Sequence, residues 1–436
     1  DSLVAQRLAL ALTDRFGVRV SVREVVERQT IRSQAELIRG GDADSRSVRE
    51  LLERDSVLPS DIAATLPPVS GSPRHVLLTG ATGFVGGQLL HDLLRGTGAT
   101  VHCLVRAENQ AAARARIVAN LREYALWSDD LADRVVAITG DLGSPRLGLS
   151  EEDYRRLAET LDVVVHNGAF VNLVLDYTAH RPSNVEGTVE ILRLAATART
   201  KPVHFVSTLG TVPVGDGVVA EDRAPSSAHP EDGYGQSKLV GERLMEAAAE
   251  RGIPVAVYRI GEVMPHSRHG VPSRHGLPDL LVKAALRMGV AFQSPIALDY
   301  TPVDQVGALI VTALIRDERG YFHLLQPKST RLGDVFAAFR DRFDLPEVPY
   351  AEFLQRLADR CAADPDDRDL ARVFAVLPSP GQEADLAQLF TDVTGHYGTA
   401  RTARLFAESG VNWEPVGADV FDRYARACRP LLTSNV

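Results

Sequence analysis

Between residues 75 and 260 the hydrophobic pattern alternates between two textures. Short apolar runs at 75–79, 100–105, 135–139, 163–166, 203–207 and 255–260 are separated by longer stretches in which apolar positions recur at helical spacing. Runs this short, bounded by turn residues, suit strands buried on both faces, and the stretches between them suit amphipathic helices. The alternation predicts an α/β fold, a doubly wound parallel sheet of the Rossmann type. Helices are expected from the turn after Thr79 through Leu94 and again over 111–124.

The flanks read differently. Leu3, Val4, Leu8, Leu12 and Phe16 fall at helical spacing before Gly17; Ser21 then caps a short helix over 22–28, and Thr30 one over 31–39 that Gly40-Gly41 closes. Residues 41–73 form a polar linker with one amphipathic segment at 48–52, a docking helix, and Pro67-Pro68 near its end. Beyond about residue 265 the texture becomes irregular, and amphipathic helices follow at 332–343, 350–361 and 385–395. The expected organisation is a nucleotide-binding unit over 74–265, rejoined at about 291–326, with a smaller, mainly helical substrate lobe from 266–290 and 327–436.

Composition narrows the function. With 45% hydrophobic and 24% charged residues, the 436-residue chain can bury a large core. A net charge of −9 argues against a nucleic-acid platform, and without a long uninterrupted apolar run no membrane span is indicated. Cys103, Cys361 and Cys428 are far apart and lack metal-ligand spacing, which together with the absence of a basic-then-apolar leader suggests reduced thiols in the cytoplasm. His266, His269 and His275 lie in a Gly/Pro/Arg-rich loop without partnering cysteines or carboxylates, so they are read as a substrate-side loop and no metal is expected.

The chemistry begins at Thr79-Gly80-Ala-Thr82-Gly83-Phe84-Val85-Gly86, between the first strand and the first helix. Glycines there permit a tight turn, close approach of backbone to a pyrophosphate, and helix-on-strand packing, while the helix N-terminus offers free N–H groups. The second strand ends at Arg106, where an NAD site would place an acidic residue. Arg106, with Arg114 or Arg116 on the next helix as a second cation, suits the 2′-phosphate of NADPH. Gly140-Asp141-Leu142 and Asn167-Gly168-Ala169 follow the third and fourth strands, where a doubly wound sheet places cofactor contacts. Thr208 ends the fifth strand, and Tyr234 and Lys238, four residues apart, share one helical face. A charged Lys238 would lower the Tyr234 pKa and hold the nicotinamide ribose. Tyr234 would then exchange a proton with a carbonyl oxygen to which Thr208 donates a second hydrogen bond.

These residues together resemble the extended short-chain dehydrogenase/reductase superfamily, and more closely its thioester reductase branch. That branch includes the terminal reductase domains of nonribosomal peptide and polyketide synthases and those of carboxylic acid reductases. The resemblance covers about residues 74–326 and rests on the glycine loop, Leu104-Val105-Arg106, Gly140-Asp141-Leu142, His166-Asn167-Gly168-Ala169, Asn184 to Thr188, Val206-Ser207-Thr208, Tyr234 with Lys238, and Thr301-Pro302-Val303-Asp304. The chain's start, Asp1-Ser2-Leu3 followed by short helices, is similar to the latter part of an acyl or peptidyl carrier domain, so that residues 1–40 would be a partial carrier and Ser2 its phosphopantetheine attachment site. The resemblance implies NADPH-dependent release of a carrier-bound acyl or peptidyl thioester, delivered by upstream synthase modules, as an aldehyde, which a second hydride at the same site could take on to the alcohol. Thr208, Tyr234 and Lys238 would be catalytic. Cofactor contacts would come from Gly80, Thr82, Gly83, Phe84, Val85, Gly86, Arg106, Arg116, Asp141, Leu142, Asn167, Gly168, Ala169, Tyr234, Lys238 and Gly261. Sugar-nucleotide epimerases and noncatalytic NADPH-binding proteins share the loop, but the former have no reason to follow a carrier remnant and the latter typically lose the Tyr or Lys.

Overall fold

The computed structural model describes residues 31–38, 43–172, 175–212, 214, 217–294, 296–364, 366–377, 396–411, 413 and 416–429, with scattered single positions before residue 31. Ser2 and the helix expected over 385–395 lie outside the described residues.

Seven strands make one parallel sheet: β1 (His75–Thr79), β2 (Thr100–Val105), β3 (Val135–Thr139), β4 (Val163–His166), β5 (Val203–Thr208), β6 (Val255–Ile260) and β7 (Gly320–Leu324). Their order is β7-β6-β5-β4-β1-β2-β3, each neighbouring pair parallel. The chain moves outward from β1 to β3, then crosses back to β4 and moves outward the other way. Loops leaving β1 and β4 therefore diverge and open a crevice at the carboxyl end of the sheet. The alternation within β1 shows why Val76, Leu77 and Leu78 are all apolar. Val76 and Leu78 join the core on one face, which also holds Leu89 and Leu93 of helix Phe84–Gly96 and Leu309 and Ile310 of helix Val303–Ile315. Leu77 joins the opposite core, with Leu192 of helix Gly187–Ala196 and Leu244 of helix Gly233–Glu250. Each such side chain, removed from water, contributes roughly 1.5–3 kcal/mol.

Helix Ala43–Asp55 docks on that second face. Leu52, Leu58 and Ile62 are buried, Asp55 accepts from Tyr177 at 2.8 Å and Arg181 at 2.6 Å, and the Arg251 guanidinium takes the carbonyls of Leu58, Pro59 and Ile62. A further core gathers helices Leu277–Met288, Leu332–Phe343, Tyr350–Ala363, Arg368–Val376 and Ala418–Ala427 around Phe292, Phe336 and Phe353. At its centre the buried Asp279 accepts hydrogen bonds from Tyr300, Tyr424 and the Ser273 N–H. Helix Ala400–Ser409 instead returns to the sheet, where Leu405 and Phe406 join the first core. Among the described residues no helix is long and apolar enough to cross a membrane.

Candidate active site

The glycine loop is shaped by close contacts. Gly80 holds φ +76, and a Cβ there would lie 2.7 Å from Asn167 Nδ2. A Cβ on Gly86 would lie 1.9 Å from the Gly80 carbonyl oxygen, so only glycine lets the helix start this close to β1. Helix Phe84–Gly96 begins at Gly83 without a side-chain cap, leaving its first N–H groups to the crevice. Asn120, on helix Gln110–Glu123, fixes the loop by donating to the carbonyls of Ala81 and Gly83 at 3.3 and 3.1 Å.

The two arginines offered as a second cation separate cleanly. Arg114 donates to the carbonyls of Val135 and Ala132 at 2.8 and 3.0 Å and is spent on structure. Arg116 lines the cleft beside Arg106 and donates to its carbonyl. Asp141 turns its carboxylate back to the Gly143 N–H at 3.0 Å.

Between β1 and β4 a chain of hydrogen bonds fixes the crevice walls. The Gly168 N–H donates to Thr79 Oγ1 at 2.7 Å, and Thr79 lies 2.9 Å from His166 Nδ1. The Thr188 hydroxyl donates to the Asn184 carbonyl at 2.6 Å, so its oxygen must accept from His166 Nε2–H at 3.1 Å. Nδ1 is then the acceptor from Thr79, and His166, pushed down to about 3 by burial, is a neutral structural imidazole. Asn184 adds a clamp, bonding both polar groups of the Phe170 backbone at 2.7 and 2.9 Å.

Apart from Ser2 and Arg114, the candidate contacts named from sequence, from Gly80 through Gly261, line one cleft of about 1840 Å³. That exceeds the roughly 300–1,000 Å³ of a pocket for one small ligand and leaves room for two molecules meeting end to end. Val25 and Gln34 of the N-terminal segment also line it. A Cβ on Gly261 would lie 1.5 Å from Asp299 Oδ2, so that wall too is bare backbone by necessity.

Thr208, Tyr234 and Lys238 meet in this cleft. Asp232 starts helix Gly233–Glu250 by accepting from the Gly235 N–H at 2.7 Å, which sets Tyr234 in the first turn with His180 beside its ring. Burial, then the carboxylates of Asp232 and Glu262, push the phenol well above its usual range. Lys238 is pushed down to about 7 by burial, donates to the Val206 carbonyl at 2.6 Å and sits 3.9 Å from the centre of the Phe205 ring. The lysine charge is thus engaged with β5, and the expected lowering of the phenol is not found, because burial and two carboxylates dominate it. Thr208 Oγ1 accepts from the Gly210 N–H at 3.2 Å, an arrangement that leaves its proton free to donate.

Three features escape sequence reading. Glu262, immediately after Gly261, lines the cleft and is pushed up to about 7 by burial and then by Asp279. Beneath Thr208, Glu242 and Arg259 form a pair with both side chains fully buried, 2.7 Å apart, and Glu242 also accepts from the hydroxyls of Ser207 at 2.5 Å and Thr211 at 2.9 Å. Tyr397 lines the cleft from far along the chain. Of the loop histidines, His266 and His269 lie against each other with centroids 4.2 Å apart and their rings tilted by 49°, near Asp304, whereas His275 lies in the cleft wall and accepts from Arg372.

Residues 78–310 match the family described as Male sterility protein, and residues 1–38 match the family described as Phosphopantetheine attachment site. A linear gramicidin synthase of Brevibacillus parabrevis is 34% identical over 464 residues, covering 100% of this chain, which spans only 9% of that relative's length. The terminal R domain from the myxalamid PKS-NRPS biosynthetic pathway is 36% identical, with a TM-score of 0.76 over 88% of this chain and 97% of that one. A thiolation-reductase di-domain from an archaeal non-ribosomal peptide synthetase, 20% identical, shares the fold with a TM-score of 0.72 over 99% of this chain and 91% of its own.

Proposed function

We propose, because this chain belongs to the Male sterility protein family and is built like a terminal R domain, that its cleft releases an acyl or peptidyl thioester reductively, as an aldehyde, with NADPH as reductant. The observation that carries this reading is the convergence of Thr208, Tyr234 and Lys238 on the cleft that also holds the glycine loop.

The residues present fit a phosphate-bearing dinucleotide. Uncapped N–H groups at the start of helix Phe84–Gly96 suit a pyrophosphate, the crowded glycines keep the backbone bare, and Arg106 with Arg116 supplies two cations at the end of β2 for a further phosphate. When bound, the reduced cofactor supplies hydride to the thioester carbonyl carbon. Tyr234, held protonated by its raised pKa, and Thr208 donate to the carbonyl oxygen and draw charge onto it. Each donor aimed at a developing oxyanion is worth roughly 2.7–4 kcal/mol. The Tyr234 proton passes to that oxygen to give a hemithioacetal; its C–S bond then breaks as the hydroxyl proton moves to sulfur, leaving an aldehyde and the free thiol. Lys238 would hold the ribose, and its ammonium would stabilise the phenolate that Tyr234 becomes on giving up its proton.

The thioester is borne by a phosphopantetheine arm attached at Ser2 in the carrier-like segment and loaded by upstream synthase modules. Val25 and Gln34 along the cleft support that route. Three buried free thiols, Cys103, Cys361 and Cys428, suit a reducing cytoplasm. The test is to mix the protein with NADPH and an acyl-pantetheine thioester while following NADPH absorbance and trapping aldehyde as a hydrazone. Tyr234→Phe is expected to keep NADPH binding and lose most turnover; undiminished thioester-dependent NADPH oxidation in that variant would sink the assignment.

A further inference from the structure

The turn that follows Thr208 is held from a distant part of the chain. β5 ends at Thr208, and residues Leu209–Thr211 make a single tight turn. Two carbonyls of this region, those of Leu209 and Val212, converge on one hydroxyl. Tyr397 donates to the Leu209 oxygen at 3.0 Å and also reaches the Val212 oxygen, from 188 residues downstream. The Tyr397 side chain is buried, and its backbone is tied in place. His396 and Gly398 exchange hydrogen bonds with Val219, both at 2.8 Å.

The same segment reaches the other side of Thr208 through the buried network. His323 Nδ1 lies 2.8 Å from the Gly398 carbonyl, so Nδ1 carries the proton and Nε2 accepts from Arg259 at 3.1 Å. Burial pushes His323 down to about 4, which keeps that neutral tautomer. Arg259 holds Glu242, and Glu242 takes the hydroxyls of Ser207, just before Thr208, and Thr211, three residues after it. Tyr397 stands edge-on to His323, centroids 5.2 Å apart at 87°, so one segment braces both arms of the arrangement. Glu221 fastens it further by capping the start of helix Ala400–Ser409, accepting from the backbone of Arg401 and Thr402.

We infer that Tyr397 is a positioning residue for the reaction: its hydroxyl fixes the curvature of the turn after β5 and thereby aims the Thr208 hydroxyl at the substrate carbonyl oxygen. The inference rests on the role proposed for Thr208. Tyr397 touches no reacting atom in this scheme. Removing its hydroxyl leaves the ring against His323 but takes the donor from the Val212 carbonyl and leaves the Leu209 carbonyl only the Val212 N–H at 3.2 Å, and the turn relaxes with Thr208 on it. Small displacements suffice, since a shift on the order of 1 Å in a catalytic group costs up to about 100-fold in rate.

A four-protein cycle tests this: wild type, Tyr397→Phe, Thr208→Val and the double variant, each assayed for thioester-dependent aldehyde formation and for NADPH affinity by fluorescence titration. Thr208→Val is expected to lower kcat about 100-fold. Tyr397→Phe is expected to lower kcat about 10-fold with NADPH affinity unchanged. In the double variant the Tyr397 effect should vanish, leaving kcat within about twofold of Thr208→Val alone, because the hydroxyl has nothing left to aim. Losses that multiply overturn the inference, as does full activity in Tyr397→Phe. A general loss of folding lowers NADPH binding and acts equally in both backgrounds, so it also overturns it. Full activity in Thr208→Val overturns the underlying role of Thr208 itself, which separates that failure from a failure of Tyr397 alone.

Discussion

Gly86→Ala probes the cofactor half of the site with one methyl group. The new Cβ would sit 1.9 Å from the Gly80 carbonyl oxygen and 2.9 Å from Asn167 Nδ2, where ordinary contact begins near 3.4 Å. The oxygen must therefore retreat by about 1.5 Å, and it is backbone, with no side-chain rotation available to absorb the shift. That oxygen accepts from the Gly83 N–H at 3.0 Å, so the retreat opens the turn that delivers the helix N-terminus. Hydrogen bonds from such N–H groups to a charged phosphate are each worth about 1.5–3 kcal/mol. Losing two of them costs about 3 kcal/mol at the low end, or roughly 100-fold in NADPH affinity. Fluorescence titration with NADPH measures this directly. Gly98→Ala is the control, because a Cβ there meets nothing within 4 Å. NADPH affinity in Gly86→Ala within about threefold of wild type, with the control unchanged, would refute the reasoning; the scale is set by the tenfold change per 1.4 kcal/mol.

Arg106→Ala should weaken NADPH by about 10- to 100-fold while barely changing NADH, since one charge-assisted bond to the extra phosphate is lost; equal losses for both nucleotides, measured as KM, would remove Arg106 from that role. Lys238 is pushed down to about 7 by burial, so its ammonium is lost from the folded protein as pH rises through 7, while the unfolded chain keeps it to about 10.5. The cost of burying that charge is present below pH 7 and relieved above it, so this group makes the fold relatively more stable at higher pH. Activity should run the opposite way, with kcat/KM for the thioester falling above about pH 7, and a flat profile to pH 9 would contradict the need for a charged Lys238. Glu242→Gln leaves Arg259 charged and buried without its counterion, which should cost roughly 3–5 kcal/mol in denaturant unfolding, whereas Glu242→Met with Arg259→Met should cost far less; a loss below about 1 kcal/mol in Glu242→Gln would mean the pair is replaceable by neutral hydrogen bonds.

Six strands of the sheet were legible because they are buried on both faces and apolar almost without interruption. β7, Gly-Tyr-Phe-His-Leu over Gly320–Leu324, could be read only as part of a return of the chain, since its His323 serves a buried polar network and interrupts the apolar run. The glycine loop and Thr208 were legible because they stand at strand ends, and Tyr234 and Lys238 because a spacing of four puts them on one face of helix Gly233–Glu250. Arg114 and Arg116 were not separable in sequence: they lie two positions apart on one helix, about 200° around it, and only the backbone carbonyls of β3 reveal which one is occupied. Glu242 and Arg259 carry no pairing signal in the sequence, because a buried pair depends on which strand and helix come together. Tyr397 offered no local signal either, as its partners lie across the fold.

The most direct test of the central claim follows the hydride itself. The full chain is incubated with an acyl-pantetheine thioester and NADPH deuterated on its nicotinamide ring, and the products are analysed by mass spectrometry. The account predicts an aldehyde carrying deuterium on its carbonyl carbon, formed in equal amount with free thiol and oxidised cofactor, and nearly absent with Tyr234→Phe. Thioester consumed without deuterium in the product, or NADPH bound while the thioester stays intact, would contradict it.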